Sequence, residues 1–311
     1  LGHISRDDMA TAYAEQFQAL AEAGVDLFII ETCQDLLQAK TALVTCYEVQ
    51  EELGLEIPVI ISVTIERTGT MLLGTDIAAV VATFEPFPLL ALGLNCATGP
   101  ADMHSHIRYL SNNWPSRISC IPNQGLPEVV NGQTVYPLSP EEYAERMAAF
   151  IENDGVSVVG GCCGTTPAHT KALAERLRGA VPGERHVEAQ PRLASLYQTV
   201  DLEQDIKPLL IGERCNANGS RKFRDLLLAD DWEACLRIAV EQEQAGAHVI
   251  DLCTAYVGRD EEHDLTTLLP LVAKSVKVPL MIDSTTPACI EACLKLYPGR
   301  CIVNSINLED G

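Results

Sequence analysis

LLALGLNC (89–96) and VSVVGGCC (156–163) are two apolar runs that each end on cysteine. Runs apolar almost throughout are the pattern of parallel strands buried on both faces. A polar, periodic stretch follows each, opening near Pro100 and at Pro167, and proline suits the first helical position. Strand, turn and helix in that order predict right-handed β/α crossovers. In such folds the carboxyl ends of the strands share one rim, where ligands bind. Cys96, Cys162 and Cys163 are therefore expected on one rim, although far apart in sequence.

The alternation extends outward from these two stretches. VDLFII (25–30), IPVIISVTI (57–65) and SRISCIPN (116–123) bring the strands of the first region to five, with helices expected over 10–23, 34–54, 75–84, 100–112, from Ser139-Pro140 onward, and 167–178. Residues 183–206 break the rhythm with scattered proline and charge and read as an interdomain linker. PLLIGER (208–214), AHVIDLC (247–253), VPLMIDS (278–284) and CIVNSIN (301–307) then give four more strands, with helices over 231–245, 262–276 and 287–296. A closed (β/α)8 barrel takes about 250 residues, so 311 residues cannot hold two. Either each region is a doubly wound sheet, or the chain carries the back of one barrel (1–182) and the front of another (207–311).

Composition narrows the function classes. With 47% hydrophobic residues the chain is globular, not disordered. No apolar run approaches the roughly 18 residues of a membrane span. Forty-three acids against 22 Lys and Arg give a net charge of −21, which repels phosphate backbones and argues against nucleic-acid binding. Twelve cysteines at irregular spacing in a long chain fit free thiols in a reducing, cytoplasmic setting better than a disulfide framework. Cys33, Cys46, Cys120, Cys235, Cys289, Cys293 and Cys301 need only the reading of small buried hydrophobes.

Cys96 and the Cys162–Cys163 pair stand apart. Three thiolates suit zinc, which favours sulfur in tetrahedral geometry, and three protein ligands leave the open position of a catalytic site. Gly160 and Gly161 offer room for a close approach to the backbone. The plainer alternative is two buried cysteines in a glycine turn and one unrelated cysteine.

These residues also carry a resemblance. GLNCATGP (93–100) and VVGGCCGTTPAHT (158–170) resemble the paired zinc motifs of homocysteine-binding methyltransferase barrels, and IIETCQDLLQAK (29–40), GTMLLGTDIAA (69–79) and NQGLPEVVNGQTVYPLSPEEYAE (123–145) are similar to other segments of them. LLIGERCNANGSRKFRDLLL (209–228), AHVIDLCTAYVGRDEE (247–262), PLMIDSTTP (279–287) and CIVNSINLEDG (301–311) resemble a pterin-binding barrel. That order of domains is the order in the cobalamin-dependent methionine synthase family. The resemblance implies two (β/α)8-type barrels, both incomplete here, in an internal fragment of a longer enzyme.

What the resemblance implies about chemistry follows residue by residue. The activity would be methyl transfer from 5-methyltetrahydrofolate to homocysteine through cobalamin, the cobalamin-binding domain lying outside this chain. Cys96, Cys162 and Cys163 would be zinc ligands, and Glu31 would hold the ammonium of homocysteine. Asp283 and Asn304 would meet the amino-pyrimidinone edge of the pterin, with Asp251 and Glu213 as further contacts. Asn216 would sit by the reactive nitrogen as the catalytic residue. Cys215 departs from the threonine that the family pattern leads one to expect. Three alternatives stay open: a zinc-thiolate methyltransferase with another methyl donor, a pterin enzyme without the first barrel's chemistry, and a non-catalytic fragment.

Overall fold

The computed structural model describes residues 4–188 and 190–306. The end of the strand expected over 301–307 therefore lies outside the described residues, as does the tail of the segment 301–311. The chain divides into two compact units, Leu1–Ile77 with Phe84–Ala189, and Ala78–Thr83 with Gln190–Gly311.

Up to residue 188 the elements run α1 (Arg6–Glu22), β1 (Phe28–Cys33), α2 (Leu36–Leu53), β2 (Val59–Val63), α3 (Ile77–Phe84), β3 (Ala91–Asn95), α4 (Pro100–Asn113), β4 (Arg117–Ile121), β5 (Glu128–Val130), β6 (Gln133–Val135), α5 (Pro140–Asp154), β7 (Val158–Val159) and α6 (Pro167–Arg176), all in the first unit except α3, whose residues 78–83 belong to the second. β1, β2, β3, β4 and β7 form a parallel sheet in that order. Every residue of β2 and β3 is buried, as expected of strands covered on both faces. β1 alternates instead, with Ile29 40% exposed. β1 and β7 are the sheet's edges among the described residues, and the sheet does not close.

Local chemistry sets the boundaries. α5 begins in a capping box, Ser139 Oγ accepting from the Glu142 amide while the Glu142 carboxylate accepts from the Ser139 amide. α2 ends at Gly54 in the left-handed region. β7 is shorter than the run 156–161 suggests, because Gly160-Gly161 leave the ladder to begin the cysteine turn. The loop expected after residue 123 contains the β5–β6 hairpin.

The second unit runs β8 (Arg192–Ala194), β9 (Thr199–Asp201), β10 (Ile211–Asn216), α7 (Arg221–Leu228), α8 (Trp232–Gln244), β11 (Val249–Cys253), α9 (Glu261–Ser275), β12 (Leu280–Asp283), α10 (Pro287–Leu296) and β13 (Ile302–Asn304). β10, β11, β12 and β13 make a second parallel sheet, also open. Its core gathers Phe223, Leu227, Ile238, Ile250, Leu252, Leu268 and Ile282, all essentially inaccessible. α7 falls where the sequence pattern predicts no helix. Ser220 caps it and Phe223 and Leu227, four apart, bury its one apolar stripe. The stretch 183–206 holds the antiparallel β8–β9 hairpin, tied by the Arg192–Asp201 ion pair at 2.7 Å. β10 runs further toward its carboxyl end than 208–214, since its register with β11 shifts between Gly212 and Cys215. Both units are thus (β/α)8-type arrays with parallel sheets. No described helix is long and apolar enough to cross a membrane.

Candidate functional site

The first unit's site is built at the carboxyl ends of β3, β4 and β7. Cys96 follows β3 directly and, with Ala97, adopts a left-handed conformation (φ 63° and 57°), which turns the chain sharply off the strand. The end of β4 serves as a bracket for the sulfur-bearing turns. The Ile121 carbonyl accepts from the Cys96 amide (3.2 Å), and the Pro122 carbonyl accepts from the Cys162 amide (2.9 Å). Asn123, 5% exposed, donates its backbone N–H to the Thr98 carbonyl (3.0 Å) and accepts from the Cys163 backbone amide at its side-chain Oδ1 (3.0 Å).

Crowding accounts for part of the Gly-Gly-Cys-Cys-Gly run. A Cβ on Gly161 would run into the Thr165 side chain, whose Oγ1 donates to the Cys162 carbonyl (2.6 Å). Gly164 has φ +80° and lies against the Tyr136 ring. Gly160 differs from the expectation, because its nearest neighbour, an Ile121 methyl, would be at an ordinary 3.6 Å.

Among the described residues, Cys96, Cys162 and Cys163 are the one group of three or more His, Cys, Asp or Glu able to share an ion, their sulfurs all within 4.8 Å of one another. The Cys96–Cys163 separation is 3.8 Å and the Cys162–Cys163 separation 3.9 Å. Zinc–sulfur bonds of about 2.3 Å at tetrahedral angles would set sulfurs about 3.8 Å apart, so the trio fits that ion. Burial, and then the neighbouring Cys96 sulfur, push the Cys162 thiol up to about 12. A divalent cation would reverse that preference by favouring the thiolate. Cys96 and Cys162 are half-buried and Cys163 is exposed, so the trio is open to solvent on one side.

Glu31 lies exposed near the end of β1, two strands from β3 in the sheet. Its neighbour Thr32 donates its amide to Asn95 Oδ1 (2.9 Å), on the residue preceding Cys96. Six of the seven cysteines expected as buried hydrophobes are buried, and Cys301 is partly exposed.

In the second unit Asn216, Asp251 and Asp283 meet at the strand ends. Asn216 Nδ2 donates to Asp251 Oδ2 and Asp283 Oδ2, both at 3.1 Å. Its Oδ1 accepts from the Asn218 and Gly219 amides, both at 3.0 Å, which fixes the carboxamide's orientation. Asn304 is the register partner of Asp283 on the adjoining strand, so the two share a face of the sheet. Glu213 is exposed in the irregular stretch of β10. Cys215 points to the opposite face, into the core, where Gln242 Nε2 lies 3.2 Å from its sulfur. A cysteine at this position therefore leaves the polar face untouched.

The acids here are held together at an electrostatic cost. Burial, opposed by the Asn216 hydrogen bond and reinforced by Asp283 and Glu213, pushes Asp251 up to about 6. Its Oδ1 is buried without a hydrogen-bond partner among the described residues. Burial also raises Asp283, with Glu261 and Glu213 adding to it while the Cys253 thiol and Asn216 oppose. Glu261, opening α9, is a further acid beside this group. Its Oε1 is buried and has no hydrogen-bond partner among the described residues, but in sequence it reads as an ordinary helix-start acid. The arrangement can accept hydrogen bonds from a flat ligand edge rich in N–H donors.

Comparison with known proteins follows the same division. Residues 1–177 match the family model described as homocysteine S-methyltransferase, and residues 212–311 match the one described as pterin binding enzyme. The methionine synthase of Mycobacterium tuberculosis is 45% identical over 311 residues, all of this chain and 26% of that protein. The methionine synthase of Mycobacterium leprae is 45% identical over an alignment of 316 residues, again covering all of this chain and 26% of the relative.

Proposed function

The chain belongs to the homocysteine S-methyltransferase family, and from that premise we propose that it takes part in methyl transfer from 5-methyltetrahydrofolate to homocysteine, yielding methionine and tetrahydrofolate. It spans 26% of the length of the methionine synthases it matches, so the proposal concerns its share of a longer enzyme's reaction. Residues 1–182 would be the homocysteine and zinc part, 207–311 the pterin part and 183–206 the connection. Cobalamin, as methyl carrier between the two, would be held by a part of the longer enzyme outside residues 1–311. The free thiols suit a cytoplasmic setting.

The observation that carries the reading is the sulfur trio with its tetrahedral spacing. Zinc held by Cys96, Cys162 and Cys163 would supply a Lewis-acid position at which a substrate thiol gives up its proton near neutral pH. The three cysteines would contribute three negative charges around the ion, which would keep a substrate sulfur there electron-rich and nucleophilic. They would act as ligands and not themselves attack. Glu31 would bind the substrate ammonium and so aim the thiol.

In the second unit the carboxylates of Asp283 and Asp251 would accept from the amino and ring N–H groups of the pterin, with Asn304 and Glu213 at its edge. Asn216, oriented by four hydrogen bonds, would turn to the nitrogen that carries the methyl group by giving up one of its two Nδ2 bonds to Asp251 or Asp283.

Calorimetry tests the first half directly. Homocysteine added to the zinc-loaded chain at pH 7 should bind with release of about one proton per site, read from the heat in buffers of different ionisation enthalpy. Binding without proton release would overturn the thiolate reading.

A further inference from the structure

Asn95 occupies an unusual place between the groups assigned above. It is fully buried. Its Oδ1 accepts from the Thr32 amide (2.9 Å) and from Ser62 Oγ (2.7 Å), and its Nδ2 donates to Thr32 Oγ1 (2.8 Å). Its backbone carbonyl accepts from Thr64 Oγ1 (3.1 Å). β1 and β3 are not neighbours, since β2 lies between them. The carboxamide therefore reaches past β2 and joins two strands that share no ladder.

The backbone on both sides of this link is strained. Thr32 has φ 58°, a region a β-branched residue rarely enters. Cys96 and Ala97, just after Asn95, are also left-handed. Such conformations persist where surrounding contacts over-determine them. Here two of the contacts holding Thr32 come from the one carboxamide. The register of β1 with β2 also shifts between Ile30 and Cys33, the stretch that contains Glu31 and Thr32.

We propose that Asn95 is a positioning residue whose carboxamide fixes the distance between Glu31 on β1 and the Cys96 sulfur after β3, and thereby selects thiols that carry an ammonium at homocysteine's spacing. The inference rests on the assignments of Glu31 and the sulfur trio made above. Asn95 touches no substrate in this account. It acts through Thr32 on one side and through the peptide it shares with Cys96 on the other.

The test uses the whole chain loaded with cadmium, whose sulfur-to-metal absorption reports thiols entering the site. Homocysteine is compared with 4-mercaptobutyrate, the same chain without the amine, and the affinity ratio reports the ammonium contact alone. In the unsubstituted protein homocysteine should be preferred, and Glu31→Gln should remove the preference. Asn95→Ala should weaken homocysteine about tenfold while leaving 4-mercaptobutyrate within about threefold, so the preference collapses. A purely structural role would weaken both equally, and that result, or an intact preference, overturns the inference. Should Asn95→Ala fail to fold, Ser62→Ala decides: it removes one bond from the same carboxamide and should lower the preference about threefold, and no change would overturn the proposal. Absence of the sulfur-to-cadmium band in the unsubstituted protein, or a preference that survives Glu31→Gln, would instead overturn the underlying site assignment.

Discussion

At the strand ends of the first unit the chemistry-bearing atoms are three sulfurs, gathered from two separate turns onto the bracket at the end of β4. At the strand ends of the second they are carboxylates organised around one amide, Asn216, which donates to two of them. Both sets sit on parallel β/α sheets, so the scaffold does not distinguish them. What differs is the ligand each set suits. The sulfurs, with Cys162 pushed up to about 12, call for a cation. The acids, with Asp251 pushed up to about 6 and a buried oxygen unpaired, call for hydrogen-bond donors.

If that contrast is right, the two units fail separately. Cys162→Ala should produce the largest effect, lowering zinc affinity by more than about 100-fold, beyond the loss usual for outer-shell partners. Folate binding, followed by fluorescence titration, should stay unchanged. Zinc retained at one equivalent in that variant would break the comparison.

Asp283→Ala should be next, weakening 5-methyltetrahydrofolate by about 10- to 100-fold for one lost hydrogen bond to a charged group. Zinc content, measured by atomic absorption on the same sample, should not move. A fall in both would mean the units are not chemically independent.

Asp251 sharpens the contrast through pH. Its folded-state pKa is raised above the ordinary carboxylate value, so between about 4 and 6 the folded chain holds a proton that the unfolded chain has lost. Stability therefore falls as pH rises through that window and is level above it. Asp251→Asn should remove this cost and raise stability above pH 6 by about 1–2 kcal/mol, measured by urea unfolding at pH 4 and pH 7. An equal effect at both pH values would contradict the electrostatic cause.

The smallest effect is expected far from either site. Ser139→Ala removes a capping box of α5 and should cost about 1 kcal/mol in the same unfolding assay, with zinc and folate binding retained.

Much of this architecture was legible in the sequence, because central parallel strands such as β2 and β3 are apolar runs that no surface strand would carry. Capping also showed: Ser139-Pro140 and Gly54 mark helix limits as residue types alone suggest. Shorter elements escaped. α7 is two turns with charges interleaved, and the hairpin strands of three residues are too brief for a period to register. The sulfur trio was legible from its glycines and its place at strand ends. Asn95 and Asn123 were not, since their roles depend on hydrogen bonds to residues 63 and 40 positions away. Nor was Glu261, whose burial comes from tertiary packing.

The most direct measurement of the central claim is X-ray absorption at the zinc edge on the zinc-loaded chain, before and after homocysteine. The account predicts a shell containing three sulfurs at about 2.3 Å, rising to four when homocysteine binds. A shell of nitrogen and oxygen, or a sulfur count that does not change on adding homocysteine, would contradict it.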